Sequence, residues 1–515
     1  MPKGLRVILG LFLALTLIAA ACGDDAEETT TTADGVTTTT GGGGETTTTG
    51  STTEGIPDPG TEPNRYPDGT EIIFLGPGGQ QDFARAKAAE FSELTNCQVT
   101  VEEIAFADIL DKVLVSLRTG AYIADVTNIG SQFGGDFMGA GLVYEVPQWA
   151  QERSSYDDML QVYVDLQLYW AGKPYALPWD ADLLTYYYRA DAFAEFSDEY
   201  EALYGHALEP ATTWAEYEQI AKFFTEEVEW GGKYGTSELM ARDNHGDSGF
   251  LTRAAAYAKA PNDKGFFFDL DDMTPRINNP GFVRALEDYI RMLPYGAPEM
   301  QNFDWLENAT SFLNGDSAQN IQWGDIGPMS HGDISVVQGK VGYAMAPGVD
   351  EYWDSEAGAW VQEYNHATFL GFGGWINVVP ITAREPQCAM DFAAFMGSHE
   401  TLAQAVVTGG TGANPGSATT LNPDVWVAAG WDQAEAEAYL GMIQTSLEDP
   451  NAVMDLRIPG ASEYKSFLEV AMTEAISGQK TAQEALDDCA AEWDRITDSL
   501  GREQQLALYR ASVGA

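Results

Sequence analysis

The residues with the most chemistry to offer are carboxylates set beside indoles, in Trp179-Asp180-Ala181-Asp182, Gln322-Trp323-Gly324-Asp325 and Gly373-Gly374-Trp375. Paired carboxylates are the equipment of a glycosidase, but Asp180 and Asp182 stand in a chain with 78 acidic residues, where such pairs are common. No G-x-S-x-G, H-E-x-x-H or P-loop pattern occurs, so these sequences supply no hydrolase nucleophile, zinc pair or phosphate cradle. The expectation is a protein that is not an enzyme and carries no cofactor. Tryptophans with Asp180, Asp182 and Asp325 as counter-charges would instead suit a polyamine or other cation held in an aromatic cage.

Metal chemistry finds little support. The five histidines are scattered, and Cys22, Cys97, Cys388 and Cys489 show no CxxC or Cys/His spacing. Asp269-Leu270-Asp271-Asp272 lacks the spaced oxygen ligands and the glycine of a calcium loop, and reads as a charged turn. A formal net charge of -51, from 78 acidic and 27 basic residues, argues against nucleic acid or an anionic membrane surface as partner.

What must position these groups can be read along the chain. Lys3 and Arg6 precede an apolar run from Val7 to Ala21, the layout of an export signal over residues 1–21. That run of about 15 residues is short of the roughly 20 that cross a bilayer. Leu17-Ile18-Ala19-Ala20-Ala21-Cys22-Gly23 resembles a bacterial lipoprotein cleavage box, with Ala19 in place of the usual branched residue; ordinary signal cleavage is the alternative. An acylated Cys22 would make the lipid anchor the only membrane contact, on the outer face of the cytoplasmic membrane. Residues 22–66 are Thr, Gly, Glu and Asp with almost nothing apolar, too little to offset chain entropy, and read as a tether.

The remaining roughly 450 residues exceed what one core usually organises, so two lobes are expected. Ile72-Ile73-Phe74-Leu75, Val99-Thr100-Val101 and Ala124 to Ile129 read as strands, alternating with helical spacing from Phe83 to Leu94 and from Ile109 to Leu117. That alternation implies a parallel sheet with ligands beyond its C-terminal ends. Helices are expected at Trp214–Glu227, Pro280–Leu293, Asp304–Leu313, near Gln387–Met396 and from Asp432 to Leu508, with an extended segment from Gly371 to Val379.

The order of motifs resembles the family one extracellular solute-binding proteins, the group that includes maltose-binding protein. Its most specific stretch runs from Gly172-Lys173-Pro174-Tyr175-Ala176-Leu177-Pro178 through Asp182 to Tyr188-Arg189-Ala190-Asp191. Thr213-Trp214, Phe312-Leu313-Asn314-Gly315-Asp316, Gly373-Gly374-Trp375 and Ala475-Ile476-Ser477-Gly478 follow in the family's order. The resemblance implies an α/β, two-lobed periplasmic-binding-protein-like fold with an interlobe hinge and a ligand cleft. It places the first lobe at 67–181 and 373–430, the second at 182–372, and C-terminal helices over 431–515 mainly with the second. It implies a monomer that delivers a small polar ligand, a sugar or oligosaccharide, to the transmembrane subunits of an ABC permease. A surface adhesin would share the tether but not the two-lobe order.

Sugar recognition needs flat apolar faces for C–H surfaces and planar polar groups for hydroxyls. On the family's pattern the cleft candidates are Trp179, Asp180 and Asp182 in the first crossing, and Ser131 and Gln132 after the third strand. To these it adds the loop with Gln80 and Gln81, then Trp323, Asp325, Gly374, Trp375 and Asn414. The competing reading is a turn cap for the aspartates, a Gly-rich turn for Ser131 and Gln132, and core packing for the tryptophans. Arg242-Asp243-Asn244-His245-Gly246-Asp247 reads as a loop able to line the second lobe or simply to be solvated. Family topology puts Cys97 and Cys388 in the first lobe, and a disulfide between them leaves Cys489 as a buried thiol.

Overall fold

The computed structural model describes residues 55–242, 245–332 and 335–515. The export segment, Cys22 and most of the expected tether lie outside these residues, as do Asp243 and Asn244. Eight strands build the two sheets that frame the site: β1 (Glu71–Pro77), β2 (Gln98–Ile104), β3 (Val126–Gly130), β4 (Leu177–Pro178), β5 (Leu184–Arg189), β6 (Gln319–Trp323), β7 (Val341–Ala344) and β8 (Trp375–Val378).

In the first lobe, β1 lies between β2 and β3 with all three parallel, as the strand and helix alternation requires. Helices Asp82–Thr95 and Phe106–Thr119 make the crossovers. Two later strands complete the sheet: β8 pairs antiparallel with β3 and β4 pairs antiparallel with β8, so β8 alone runs in the opposite sense. Parallel pairing therefore holds for the first three strands only, because the strand that returns from the second lobe, β8, is set between β3 and β4.

The second lobe carries a three-stranded antiparallel sheet, β6-β5-β7, whose register sets Leu184 opposite Trp323. Its helices start where the sequence supplies caps. Thr213 and Glu216 form a reciprocal capping box on Trp214–Lys222, and Asp304 accepts from the backbone of Leu306 and Glu307 to open Trp305–Leu313. The C-terminal helices Ala461–Ile476, Ala482–Leu500 and Arg502–Ser512 pack against this lobe, with Trp493 5.2 Å from Phe268 and the Tyr509 hydroxyl accepting from the backbone of Phe266 and Phe267.

Cys97 and Cys388 form a disulfide with Cα atoms 6.7 Å apart, and Cys489 is a buried free thiol. Asp269 to Asp272 is a turn, tied by Arg276 to Asp269. One stretch departs from its expected character. Residues 55–66, read as the end of the tether, lie against the first lobe: Ile56 is buried and its carbonyl accepts from Trp149 Nε1, Arg65 pairs with Asp391 at 2.7 Å, and Tyr66 donates to the same carboxylate. Ile56 and Tyr66 are the apolar residues that the polar stretch before them lacks, and they anchor it.

Candidate functional site

The chain passes between the two sheets at residues 179–183, leaving β4 and entering β5, and returns through 371–374 into β8. These two crossings run side by side. Trp375 N–H donates to Asp180 Oδ2 at 3.0 Å, Asp180 N–H donates to the Trp375 carbonyl, and Gln167 Nε2 donates to the carbonyls of both Asp180 and Gly373. The close approach needs glycine at 374, where φ is 99° and a Cβ would lie 2.7 Å from the Asp180 carbonyl. The backbone on either side is pinned by buried phenols. Tyr163 donates to the Ala181 carbonyl, Tyr187 to that of Trp323 and Tyr439 to that of Gly324, each at 2.9 Å.

Where these segments meet, a cavity with about 400 Å³ of empty space opens between the lobes, part of it continuous with solvent. Gln80, Trp375 and Gly412 line it from the first lobe, His245, Trp305, Gln322, Trp323 and Asp325 from the second, and Asp182 and Phe372 from the crossing segments. Its walls are thus indoles and a phenyl ring together with oxygen-bearing side chains. Trp323 Nε1 donates to the Gly371 carbonyl, which fixes that ring, and Phe372 stands 4.9 Å from Trp375 and 5.5 Å from His245.

Two residues of this wall, His245 (φ 70°) and Phe372 (φ 69°), hold the left-handed backbone conformation that non-glycine residues avoid. Such strain costs on the order of 1 kcal/mol each and concentrates at ligand clamps.

The polar end is built on Asn414. Its Nδ2 donates to Asp182 Oδ1 at 2.8 Å, Asp180 Oδ1 at 3.1 Å and Asp325 Oδ2 at 3.3 Å, so three carboxylates converge on one amide. The amide has a single workable orientation, since its oxygen turned to that side would face only acceptors. Asp180 and Asp182 are buried and Asp325 is half-buried. Among the described residues no lysine or arginine pairs with any of the three. Burial, then the charge of Asp325, pushes Asp180 up to about 7. Burial followed by the two neighbouring carboxylates raises Asp182 well above the usual range, and burial raises Asp325.

The matching family model is that of the bacterial extracellular solute-binding proteins, over residues 86–434. The chain belongs to this family. Among solved structures, the maltose-bound MalE3 of T. maritima is 18% identical, with a TM-score of 0.67 over 83% of this chain and 100% of that one. The ribitol complex of an ABC transporter solute-binding protein from Agrobacterium radiobacter K84 is 19% identical, with a TM-score of 0.69 over 84% of this chain and 100% of that one. A relative from Agrobacterium vitis S4, with bound D-mannitol, is 19% identical at a TM-score of 0.66 over 84% and 99%. No curated protein matches the sequence. At these identities the likeness establishes the two-lobed fold, and the ligands belong to those relatives.

For a solute-binding protein of this architecture, the expected cleft residues divide into three groups. Asp182, Trp323, Asp325 and Trp375 line the interlobe cavity. Asp180, Gly374 and Asn414 stand behind it, holding the wall in place. Four candidates are elsewhere. Gln81 is buried with its amide on the Pro77 carbonyl, and its neighbour Gln80 faces the cavity instead. Trp179 packs in the core against Phe83, at 6.0 Å. Ser131 is fully buried beneath Phe372, and Gln132 accepts from Lys465 at 2.6 Å.

His245, Trp305, Phe372 and Gly412 complete the wall; all four lie in stretches read from the sequence, but only the loop of His245 stands there as lining in its own right. The sequence carries one faint signal for Gly412, its place in a glycine-rich loop two residues before Asn414. A Cβ at 412 would meet Gln80 Oε1 at 2.7 Å, so only glycine lets the two loops close over the cavity.

Proposed function

We propose that the protein captures a small polyhydroxylated solute, a sugar or sugar alcohol, in the interlobe cavity and delivers it chemically intact to an ABC importer. The observation that carries this is the wall itself: indoles of Trp305, Trp323 and Trp375 facing one cavity with the carboxylates of Asp182 and Asp325. Flat rings take the C–H faces of a pyranose or an alditol, and carboxylates accept from its hydroxyls. The relatives bound to maltose, ribitol and mannitol support the same class. Since the wall draws on both lobes, a ligand there stabilises the closed arrangement, and that difference is what a membrane partner would read.

Export and a lipid anchor on Cys22 complete the proposal, with the protein acting as a monomer. Among the described residues no helix is long and apolar enough to cross a membrane. A thermal-shift screen of sugars and sugar alcohols tests the binding reading, because a ligand held only by the folded protein must raise its melting temperature. A rise of several degrees with at least one compound is expected. Flat responses across the whole panel would defeat it.

A further inference from the structure

We propose that the solute taken by this cavity bears a protonated amine on its polyhydroxylated frame, as an amino sugar or amino-alditol does, and that Asp182 and Asp325 are its counter-charges. The inference rests on the sugar reading above and narrows it.

Elsewhere in the chain, buried carboxylates are compensated. An acidic group taken out of water is retained when a cation or several donors compensate it. Asp391 meets Arg65 and Arg153, Glu238 meets Arg253, and Asp455 with Asp247 meets Lys465. A chain with only 27 basic residues still places one beside each of these acids. Asp125, also buried, pairs with no cation among the described residues but accepts from the backbone of Ile73, Arg384 and Glu385 and from the Tyr122 hydroxyl. The cavity group as a whole likewise pairs with none, and Asp182 and Asp325 lack such a set of donors. Asp180, Asp182 and Asp325 share a neutral amide, and no lysine or arginine of the described chain pairs with any of them.

The three are not equivalent. Asp180 spends both oxygens inside the protein, accepting from the backbone of Ala181, Trp375 and Asn414. Asp325 has one side-chain partner, the Asn414 amide, and Asp182 has two, that amide and the Asp180 carboxyl; both also line the cavity. They therefore offer carboxyl oxygens to whatever enters, and a cation there would favour their ionised forms.

The aromatic lining adds a second, independent preference. Trp305, Trp323, Trp375 and Phe372 surround the same space, and aromatic faces attract a desolvated cation by their quadrupoles while also covering sugar C–H surfaces. A neutral sugar would use the rings but bring no cation to three crowded carboxyls. A free diamine would use the carboxyls and leave Gln80 without a hydroxyl partner. An amine on a hydroxylated ring satisfies both. His245 is the remaining titratable side chain on the wall, 4.9 Å from Trp323.

The test is calorimetric titration, on the full exported chain at neutral pH, of matched sets: a neutral sugar or alditol, its amino derivative and the N-acetylated amine, in which the charge is removed but the frame kept. We expect at least one amino member to bind ten or more times tighter than both of its partners. In Asp325→Asn and Asp182→Asn the ratio of amino to neutral affinity should fall toward one. Asp325→Asn is the safer variant because that side chain is half-buried, and its melting curve reports folding separately from binding. If neutral members bind as tightly as their amino derivatives throughout, the amine proposal is overturned and the sugar reading stands. Should a simple diamine bind while no member of any set does, the sugar frame is wrong and both readings fall.

Discussion

Asp247 and Asp455 meet Lys465 at 2.9 and 2.6 Å, whereas Asp180, Asp182 and Asp325 meet amides and no cation. Both clusters lie where segments of the two lobes come together. In the first, Lys465 also donates to Gln132 of the loop after β3, and Asp455 accepts from the Phe372 backbone. Burial pulls the Lys465 ammonium down, yet the two aspartates hold it above its ordinary range. That cluster is finished within the chain and serves as a fastening. The second is unfinished, and the difference separates a region built to hold the lobes from one built to receive something.

Breaking the finished cluster should have the largest effect. Lys465→Met leaves two buried carboxylates without their cation, and the expected loss is about 3–5 kcal/mol of unfolding free energy in urea. A loss under about 1 kcal/mol would mean that the cluster is not the fastening described.

Next come the two tryptophans that look alike in the sequence. Trp179→Ala should cost about 3–5 kcal/mol of stability, as for any large core side chain, while the folded fraction binds ligand normally. Trp375→Ala should instead weaken ligand affinity about tenfold to a hundredfold, measured by calorimetry with the best compound from the screen. Equal losses of affinity in both variants would erase the distinction between core and wall.

The smallest effect sharpens the unfinished cluster through pH. A carboxyl whose pKa is raised in the folded state binds more protons folded than unfolded, so stability falls as pH rises from the unfolded value near 4 through the folded one. For Asp180 that window reaches about pH 7. Asp182, Asp325 and His245 face the same space, and Tyr163, Tyr187 and Tyr439 border it with their hydroxyls committed to backbone carbonyls. Asp325→Asn should therefore gain about 1 kcal/mol over the parent at pH 8 and nothing at pH 4, by thermal denaturation without ligand. A variant less stable than the parent at pH 8 would show that the three carboxylates do not oppose one another.

Much of this was legible in the sequence, and the failures have physical causes. The alternation from Ile72 to Ile129 announced the parallel strands, and the caps at Thr213 and Asp304 marked true helix starts. The order of motifs led to Asp182, Trp323, Asp325 and Trp375. Gln80 and Gln81 are chemically identical neighbours, and only the turn of the loop decides which faces the cavity. Trp179 and Trp375 differ in burial partner, a tertiary property. The helix Gly246–Ala258 is buried on every side, so its sequence shows no polar face and no period, and His245 at its start was read as loop. Phe372 contributes through a left-handed backbone, which no residue type other than glycine advertises.

The central claim is that one cavity between the lobes takes the solute. The most direct measurement is a crystal structure of the protein with the compound that gives the largest thermal shift. The account predicts that compound enclosed between the lobes, its ring against Trp323 or Trp375 and its polar groups on Asp182 and Asp325. A compound seated elsewhere, with those four side chains untouched, would contradict it.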